Sequence, residues 1–588
     1  MYAFKRESIV NDNSSWHKGQ SWKRRRRVRI AIVLGVLLVI LAIALGVGLG
    51  VGLRNSGNNN RPHVLPVDFP NESLDNSPKG LTERGFFYTT SDPAGTAILN
   101  WTASGFTFKT YNNDTSGADI IVNTSIPIQQ IDGFGAALTD AAAYTLFELK
   151  QGNSSIYNAT MQALFNIRTG IPILRVPLGC SDFSLEQYVF APNAPPGDIL
   201  SMAIASQNAT LALQSANFSL GPANDYLVPI LRDIVAMRPQ IKIMFSPWSP
   251  PAWTKTGGSL AGGSIVPGFV PIVAQYYLKS IKAFVDAGIP VWSMTLQNEP
   301  SFAAKYPSTV VDSPTQSQLA SAIRALRSQY GLGDLKIFAH DNNFAAWQDA
   351  ADIVNLNSSA IDGIAWHAYK GNAGQISSFR ANISLAAQGA LETHMTEFTG
   401  TATDTKTRWD SQRYWIEQVY FPMLAQYARS VEIWNIALSP RYGPRLSSSY
   451  CSNCVGGLQI STPDAFADPW VQIMPQYITM AHFNAIAVDL STVGGGPAFR
   501  ALTVQQPNAT GSTANITCMT SQGFAASLKG AELVPSNAAR TNTVFTRRAG
   551  LVLYNACNTS QELNLNIDGR ATTFTSQPGL TSLAWQAP

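Results

Sequence analysis

Between about residues 126 and 487, short apolar runs alternate with longer segments of helical period. The runs are Gln130-Ile-Asp-Gly-Phe-Gly135, Ile173-Leu-Arg-Val-Pro177, Ile241-Lys-Ile-Met-Phe245, Val291–Gln297, Lys336-Ile-Phe-Ala339, Gly363-Ile-Ala-Trp366, Leu391–Met395 and Val431–Ala437. Runs this short and this apolar read as strands covered on both faces. Helical candidates such as Pro271–Ala287, Gln316–Tyr330 and Trp409–Ala428 lie between them. Eight strand-then-helix units in succession predict an α/β fold of the (β/α)8 TIM-barrel type over residues 126–487. A doubly wound sheet is the alternative, but no glycine-rich turn follows a first strand to support it. On either side the helical period is lost. Residues 81–125 and 488–588 carry short alternating segments, such as Gly550-Leu-Val-Leu-Tyr554 and Glu562-Leu-Asn-Leu-Asn-Ile567. These predict an appended β-sandwich domain, its C-terminal strands completed by the N-terminal ones.

The first 80 residues follow a different pattern. Ile30–Leu53 is a run of 24 uncharged, mostly aliphatic positions. As a helix it would reach about 36 Å, enough to cross a bilayer core of about 30 Å. Residues 1–29 hold nine Lys and Arg against Glu7 and Asp12, a net of +7. The whole chain is +4, which leaves −3 for residues 30–588, so the basic excess belongs to the tail and no basic groove for nucleic acid is implied. Basic residues before an apolar span keep that side cytoplasmic. The expected arrangement is a type II single-pass membrane protein with a cytoplasmic tail (1–29), a transmembrane helix (30–53) and a linker (54–80). The catalytic body would then be extracellular, at the cell surface, or lumenal. A cleaved signal peptide is the alternative, but the run exceeds the usual apolar region and no Ala-x-Ala site follows clearly. Thirteen Asn-x-Ser/Thr sequons between Asn71 and Asn558 agree with export and N-linked glycans.

Five cysteines do not make a disulfide scaffold in 588 residues. Cys451 and Cys454 stand in a loop where they can close a tight disulfide, and Cys518 can pair with Cys557, which leaves Cys180 as a buried thiol. No second Cys or His pair offers a zinc site, and His367 and His394 lack metal-ligand spacing, so no metal and no cofactor is expected.

The ends of the predicted strands carry the chemistry. They lead to Thr139-Asp140, to Arg175 and Ser181-Asp-Phe183, and to Ser246-Pro-Trp-Ser-Pro-Pro-Ala-Trp253. The later strands lead to Asn298-Glu299, His367 and Tyr369, Glu397, and Trp434-Asn435. A glutamate closing an apolar strand is costly to bury, so Glu299 and Glu397 are expected to be functional or strongly paired. Two acids at barrel strand ends suit glycoside cleavage, one protonating the leaving oxygen while the other attacks or activates water. Aromatic residues beside them suit the flat faces of sugars. Arg175 reads equally as substrate contact or as ion-pair partner of a barrel acid. The tryptophans read equally as core.

Several segments together resemble glycoside hydrolase family 30, the family of glucosylceramidase and of fungal endo-β-1,6-glucanases. They are Gly133-Phe-Gly-Ala-Ala-Leu-Thr-Asp-Ala-Ala142, Arg175-Val-Pro-Leu-Gly-Cys-Ser-Asp-Phe-Ser184, Ser246–Gly257, Leu296-Gln-Asn-Glu-Pro300, Trp366-His-Ala-Tyr369, Thr396-Glu397 and Trp434-Asn-Ile-Ala-Leu438. The resemblance implies a retaining β-glycosidase with Glu299 as general acid/base and Glu397 as nucleophile. It further implies substrate binding by Asn298, Asp182, Phe183, Trp248, His367, Tyr369 and Trp434. Glu299 is expected to keep its proton because Glu397 lies close. Cys180-Ser-Asp-Phe183 departs from the usual Ser-Cys-Asp-Phe order, although the Asp-Phe pair survives. The loop Gly443–Cys454 resembles that of the glucanase branch, which favours cell-wall glucan as substrate over a glucosyl-lipid. A catalytically inactive sugar-binding membrane protein is a further alternative, opposed by the presence of both glutamates and Asn298.

Overall fold

The computed structural model describes residues 86–91, 100–104, 114–166, 170–402, 413–462, 469–494, 497–535 and 542–587. The eight predicted strands close into a parallel barrel in chain order. They are β1 (Gly133–Ala137), β2 (Ile173–Pro177), β3 (Lys242–Ser246), β4 (Ser293–Thr295), β5 (Lys336–Asn343), β6 (Gly363–His367), β7 (Glu392–Glu397) and β8 (Ala428–Ile433). Closure comes from β8 pairing with β1, Ser430 opposite Gly133 and Ile433 opposite Ala136. The first strand is squeezed between its neighbours. A Cβ on Gly135 would lie 2.4 Å from the Ile173 carbonyl oxygen, so no larger residue fits without a backbone shift.

The helices start where local chemistry allows. Thr139 accepts from the Ala142 amide and caps helix Asp140–Gly152, and Asp312 accepts from Thr315 to cap Ser313–Leu326. Asp140 is buried under hydrogen bonds from Ser184 and Tyr188, and burial pushes its carboxyl up to about 6. Thr139 thus caps the helix and also donates to Asn435 after β8 at 2.6 Å, while Asp140 ties the helix start to the loop after β2.

Outside the barrel, strands from both ends of the chain join by hydrogen bonds into one nine-stranded sheet. Phe86–Ser91 pairs with Gly579–Ala587, and Ile120–Ile131 pairs with Ala498–Gln505 and Gln561–Ile567. The sandwich expected from the sequence is therefore hydrogen-bonded throughout as a single sheet. Its apolar side chains, among them Ile120, Leu551, Leu565, Phe574 and Trp585, gather in one cluster. The helix Pro475–Gly494 joins sheet to barrel. Its Asn484 bonds both the amide and the carbonyl of Phe134 in β1, at 3.0 and 2.8 Å. His482 bonds Ser582 of the outer sheet at 2.9 Å. Ile486 fits against Gly550, where a Cβ would come within 2.4 Å of it.

Among the described residues no helix is long and apolar enough to cross a membrane; the span predicted over 30–53 lies outside them. Both expected disulfides, Cys451–Cys454 and Cys518–Cys557, are present, and Cys180 is a buried free thiol. Eleven sequon asparagines fall in the described residues, and none of the ten whose burial is described is buried.

Candidate active site

The two ends of the barrel are built differently. At the N-terminal end Asp132, Glu392 and His394 bring their ligand atoms together. Cations already occupy the carboxylates: Lys242 and Arg429 reach Asp132 at 2.5 and 2.8 Å, and Lys336 reaches Glu392 at 2.6 Å. This ion-pair ring closes the barrel floor, and nothing in it calls for a metal. His394 stacks on Phe338 and bonds Ser430, which makes it a core histidine.

At the C-terminal end the barrel opens onto the acids. Arg175 on β2 is fully buried and stands at the centre. Its guanidinium donates to Glu397 at 2.6 Å, to Asn298 at 2.6 Å and to Asp341 at 2.8 Å. The sequence left Arg175 open between substrate contact and ion pairing; the geometry makes it the ion-pair partner. Asp341, on β5, is absent from the residues expected above. It collects hydrogen bonds from Arg175, Ser246, Thr295 and Thr396, and its second oxygen lies 3.1 Å from Nε2 of His367. Burial opposes its charge, but Arg175 and His367 together hold it far below the usual carboxylate range.

Glu397 ends β7. One oxygen takes the Arg175 contact and the other accepts from the Tyr369 hydroxyl at 2.9 Å. Burial pushes its carboxyl up against the opposing cations of His367 and Arg175. Glu299 follows β4. Asn343 donates to it at 3.2 Å, and His367 Nδ1 stands 3.7 Å away, too far for a closed hydrogen bond. Burial disfavours charge on His367 too, yet Glu397, Asp341 and Glu299 push its imidazole up to about 9. Burial alone would raise Glu299, but the charged His367, Asn343 and Arg175 leave it below its ordinary value. The sequence expected the nearby Glu397 to keep a proton on Glu299; here the groups facing Glu299 favour its ionised form instead, and the carboxylates around His367 favour the imidazolium.

The backbone is contorted where these groups are presented. Glu299 and Asp341 both have φ of 43°, His340 has 76° and Asn435 has 43°. Left-handed non-glycine residues each cost about 1–3 kcal/mol, so their clustering at one end marks a site rather than a stable cap. The Glu299 amide donates to the Asp341 carbonyl at 3.0 Å, so the two contorted residues brace each other.

The aromatic residues divide. Trp248 and Trp434 stack at 5.2 Å, with the Arg175 guanidinium 4.8 Å from the Trp248 ring. Tyr369 remains 39% exposed beside Glu397. Phe183 and His367, expected to bind substrate, are both fully buried. Phe183 packs edge-on against Trp434 at 5.9 Å, so it acts on a ligand only through that ring. Asp182 receives Ser449 at 2.9 Å, and burial lifts its carboxyl to about 7. Tyr306, also unexpected from sequence, is buried in the cluster that holds Trp248, Trp434 and Phe183.

These parts match a known family. A model of the glycosyl hydrolase family 30 TIM-barrel domain matches residues 131–486. The chain belongs to glycosyl hydrolase family 30. It is a glycoside hydrolase. An endo-1,6-β-D-glucanase of Aspergillus fumigatus is 26% identical over 408 residues, 65% of this chain and 77% of the relative. The lysosomal acid glucosylceramidase of Mus musculus is 25% identical over 408 residues, 63% of this chain and 71% of that one. A solved endo-β-1,6-glucanase shares the fold with a TM-score of 0.67 at 23% identity, covering 86% of this chain and 99% of its own.

Proposed function

We propose that this family 30 enzyme is a retaining endo-β-1,6-glucanase. The contrast between the two glutamates carries the reading. Both oxygens of Glu397 are tied, by Arg175 and Tyr369, which aims the carboxylate as a nucleophile. Glu299 instead faces a proton-bearing imidazole and a single amide, as a group that gives and takes a proton does. Glu397 attacks the anomeric carbon while Glu299 protonates the departing oxygen. Glu299 then takes a proton from water, which opens the glycosyl-enzyme bond. Asn298, oriented by Arg175, is placed to bind a sugar hydroxyl beside Glu397.

Relatedness to fungal 1,6-glucanases supports a wall glucan as substrate. Relatedness to glucosylceramidases supports a glucosyl-lipid as the second reading. The basic tail, the apolar run and the sequons support a membrane-anchored, glycosylated body outside the cytoplasm. Incubation with linear β-1,6-glucan, followed by proton NMR, tests the proposal. Reducing ends should appear first as the β anomer. An initial α anomer, or turnover of glucosylceramide alone, would overturn it.

A further inference from the structure

Glu299 is followed at once by a tight turn. The Phe302 amide donates to the Glu299 carbonyl at 2.8 Å, and Asn342 grips Ser301 between them at 2.8 Å. The Phe302 ring lies 5.8 Å from that of Tyr450, which lies 5.6 Å from Tyr306. Tyr306 is buried, whereas Phe302 is 38% and Tyr450 55% exposed. Tyr306 is packed in the apolar cluster that holds Trp248, Trp434 and Phe183, so this group of rings extends from the cluster at the barrel mouth.

We propose that Phe302 and Tyr450 form a stacking platform for the leaving-group sugar, the glucose unit that departs from the Glu299 side of the cleaved bond. The proposal rests on the reading of the protein as a glucanase. The departing oxygen takes its proton from Glu299, so the ring attached to it lies on the side where the turn to Phe302 begins. Aromatic faces bind the C–H faces of pyranose rings. An acyl chain would call for aliphatic walls. Here the immediate neighbours along the chain are Ser301 and Ala303 for Phe302, and Ser449 and Cys451 for Tyr450, with no long aliphatic side chain among them.

Both halves of the platform are held in place before substrate arrives. Lys255 donates to the Ser308 carbonyl at 2.7 Å, and the Ser308 hydroxyl accepts from Ala304 and Gly262, so the Phe302 loop is tied to the loop after β3. Tyr450 sits between Ser449, which bonds Asp182, and the Cys451–Cys454 disulfide. A platform with little ordering cost suits binding of a mobile polymer.

The test uses the full-length chain with Phe302→Ala, Tyr450→Ala, the double variant and Phe302→Trp. Two readouts are compared: kcat/KM on β-1,6-linked glucose oligosaccharides, and kcat/KM on β-glucosyl fluoride, whose leaving atom is too small to reach the rings. The oligosaccharide value should fall further than the fluoride value by about tenfold in the alanine variants, equivalent to about 1.4 kcal/mol, mainly through KM, and Phe302→Trp should restore it. With the fluoride as donor, the ratio of transfer onto an added glucoside to hydrolysis should fall in parallel. Equal losses on both donors, or an unchanged transfer ratio, would overturn the platform. So would a loss confined to short-chain glucosylceramide. Wild-type protein that consumes the fluoride but no β-1,6 oligosaccharide would refute the proposed linkage, and the transfer ratio would still decide the platform.

Discussion

Nδ1 of His367 faces Oε1 of Glu299 at 3.7 Å, while its Nε2 faces Asp341 at 3.1 Å. The imidazole is fully buried, and Nδ1 has no hydrogen-bond partner among the described residues. It therefore serves as a proton-holding neighbour of the general acid. The basic limb of kcat/KM reports the essential acid of the free enzyme. His367 holds its proton up to about pH 9. Above that pH no proton remains for Glu299, so activity on substrates with poor leaving groups should fall. In His367→Gln the limb should move down toward the carboxylate range, because the remaining proton sits on Glu299 itself. An unchanged basic limb in a pH profile of the variant would show that the proton comes from elsewhere.

Removal of the two acids should have different signatures. Glu397→Ala should reduce turnover of every glucoside to background, since no covalent intermediate forms. Glu299→Ala should lose roughly 10²–10⁴-fold on natural linkages and much less in the first step on a dinitrophenyl glucoside. Azide should rescue that variant and yield the β-glucosyl azide, identified by NMR. Azide rescue at Glu397 instead would reverse the assignment.

Arg175 should resist conservative replacement. Its guanidinium reaches Glu397, Asn298 and Asp341 at once, and the ammonium of Arg175→Lys cannot span all three. Breaking a buried pair by removing one partner costs about 3–5 kcal/mol. Arg175→Met should lower the melting temperature markedly and abolish turnover. Arg175→Lys should fold better yet remain poorly active, because Glu397 is no longer aimed. Near-normal kcat in Arg175→Lys would contradict the aiming role.

Glu432 gives a stability prediction. It is buried inside the barrel on β8, with one oxygen bonded by Ser430 at 3.0 Å and the other without a partner. Burial pushes its carboxyl up to about 8 from 4.5. The folded state therefore holds a proton that the unfolded state has lost between those values. Its contribution to stability is greatest below pH 4.5 and declines as pH rises to about 8. Glu432→Gln should raise the melting temperature at pH 8 by a few degrees and change it little at pH 4.5. A thermal shift of equal size at both pH values would place the effect in packing rather than ionisation.

The strand count, the positions of both glutamates and the two disulfides were legible because each leaves a local mark: an apolar run with a sharp polar end, or a cysteine with one plausible mate. Asp341 leaves the same mark, since His340-Asp-Asn-Asn343 follows the apolar run Lys336–Ala339. Reading the fifth strand to its polar end would have found it. Tyr306 leaves no mark, because it lies in a loop and meets Trp248, Trp434 and Phe183 only through folding.

By itself the sequence determined most of the groups that stand at the barrel mouth, both glutamates among them, since hydrophobic period and strand ends are local properties of the chain. Tertiary structure alone decided what those groups do to one another. Phe183 and His367 stand where substrate-binding residues were expected, but burial turns one into a support for Trp434, and the carboxylates that close around the other favour its charged form against burial. Arg175 and Asp341, 166 residues apart, meet at 2.8 Å inside the barrel. Charge interactions between buried groups depend on distance and solvent exclusion, and both exist only after the barrel has closed.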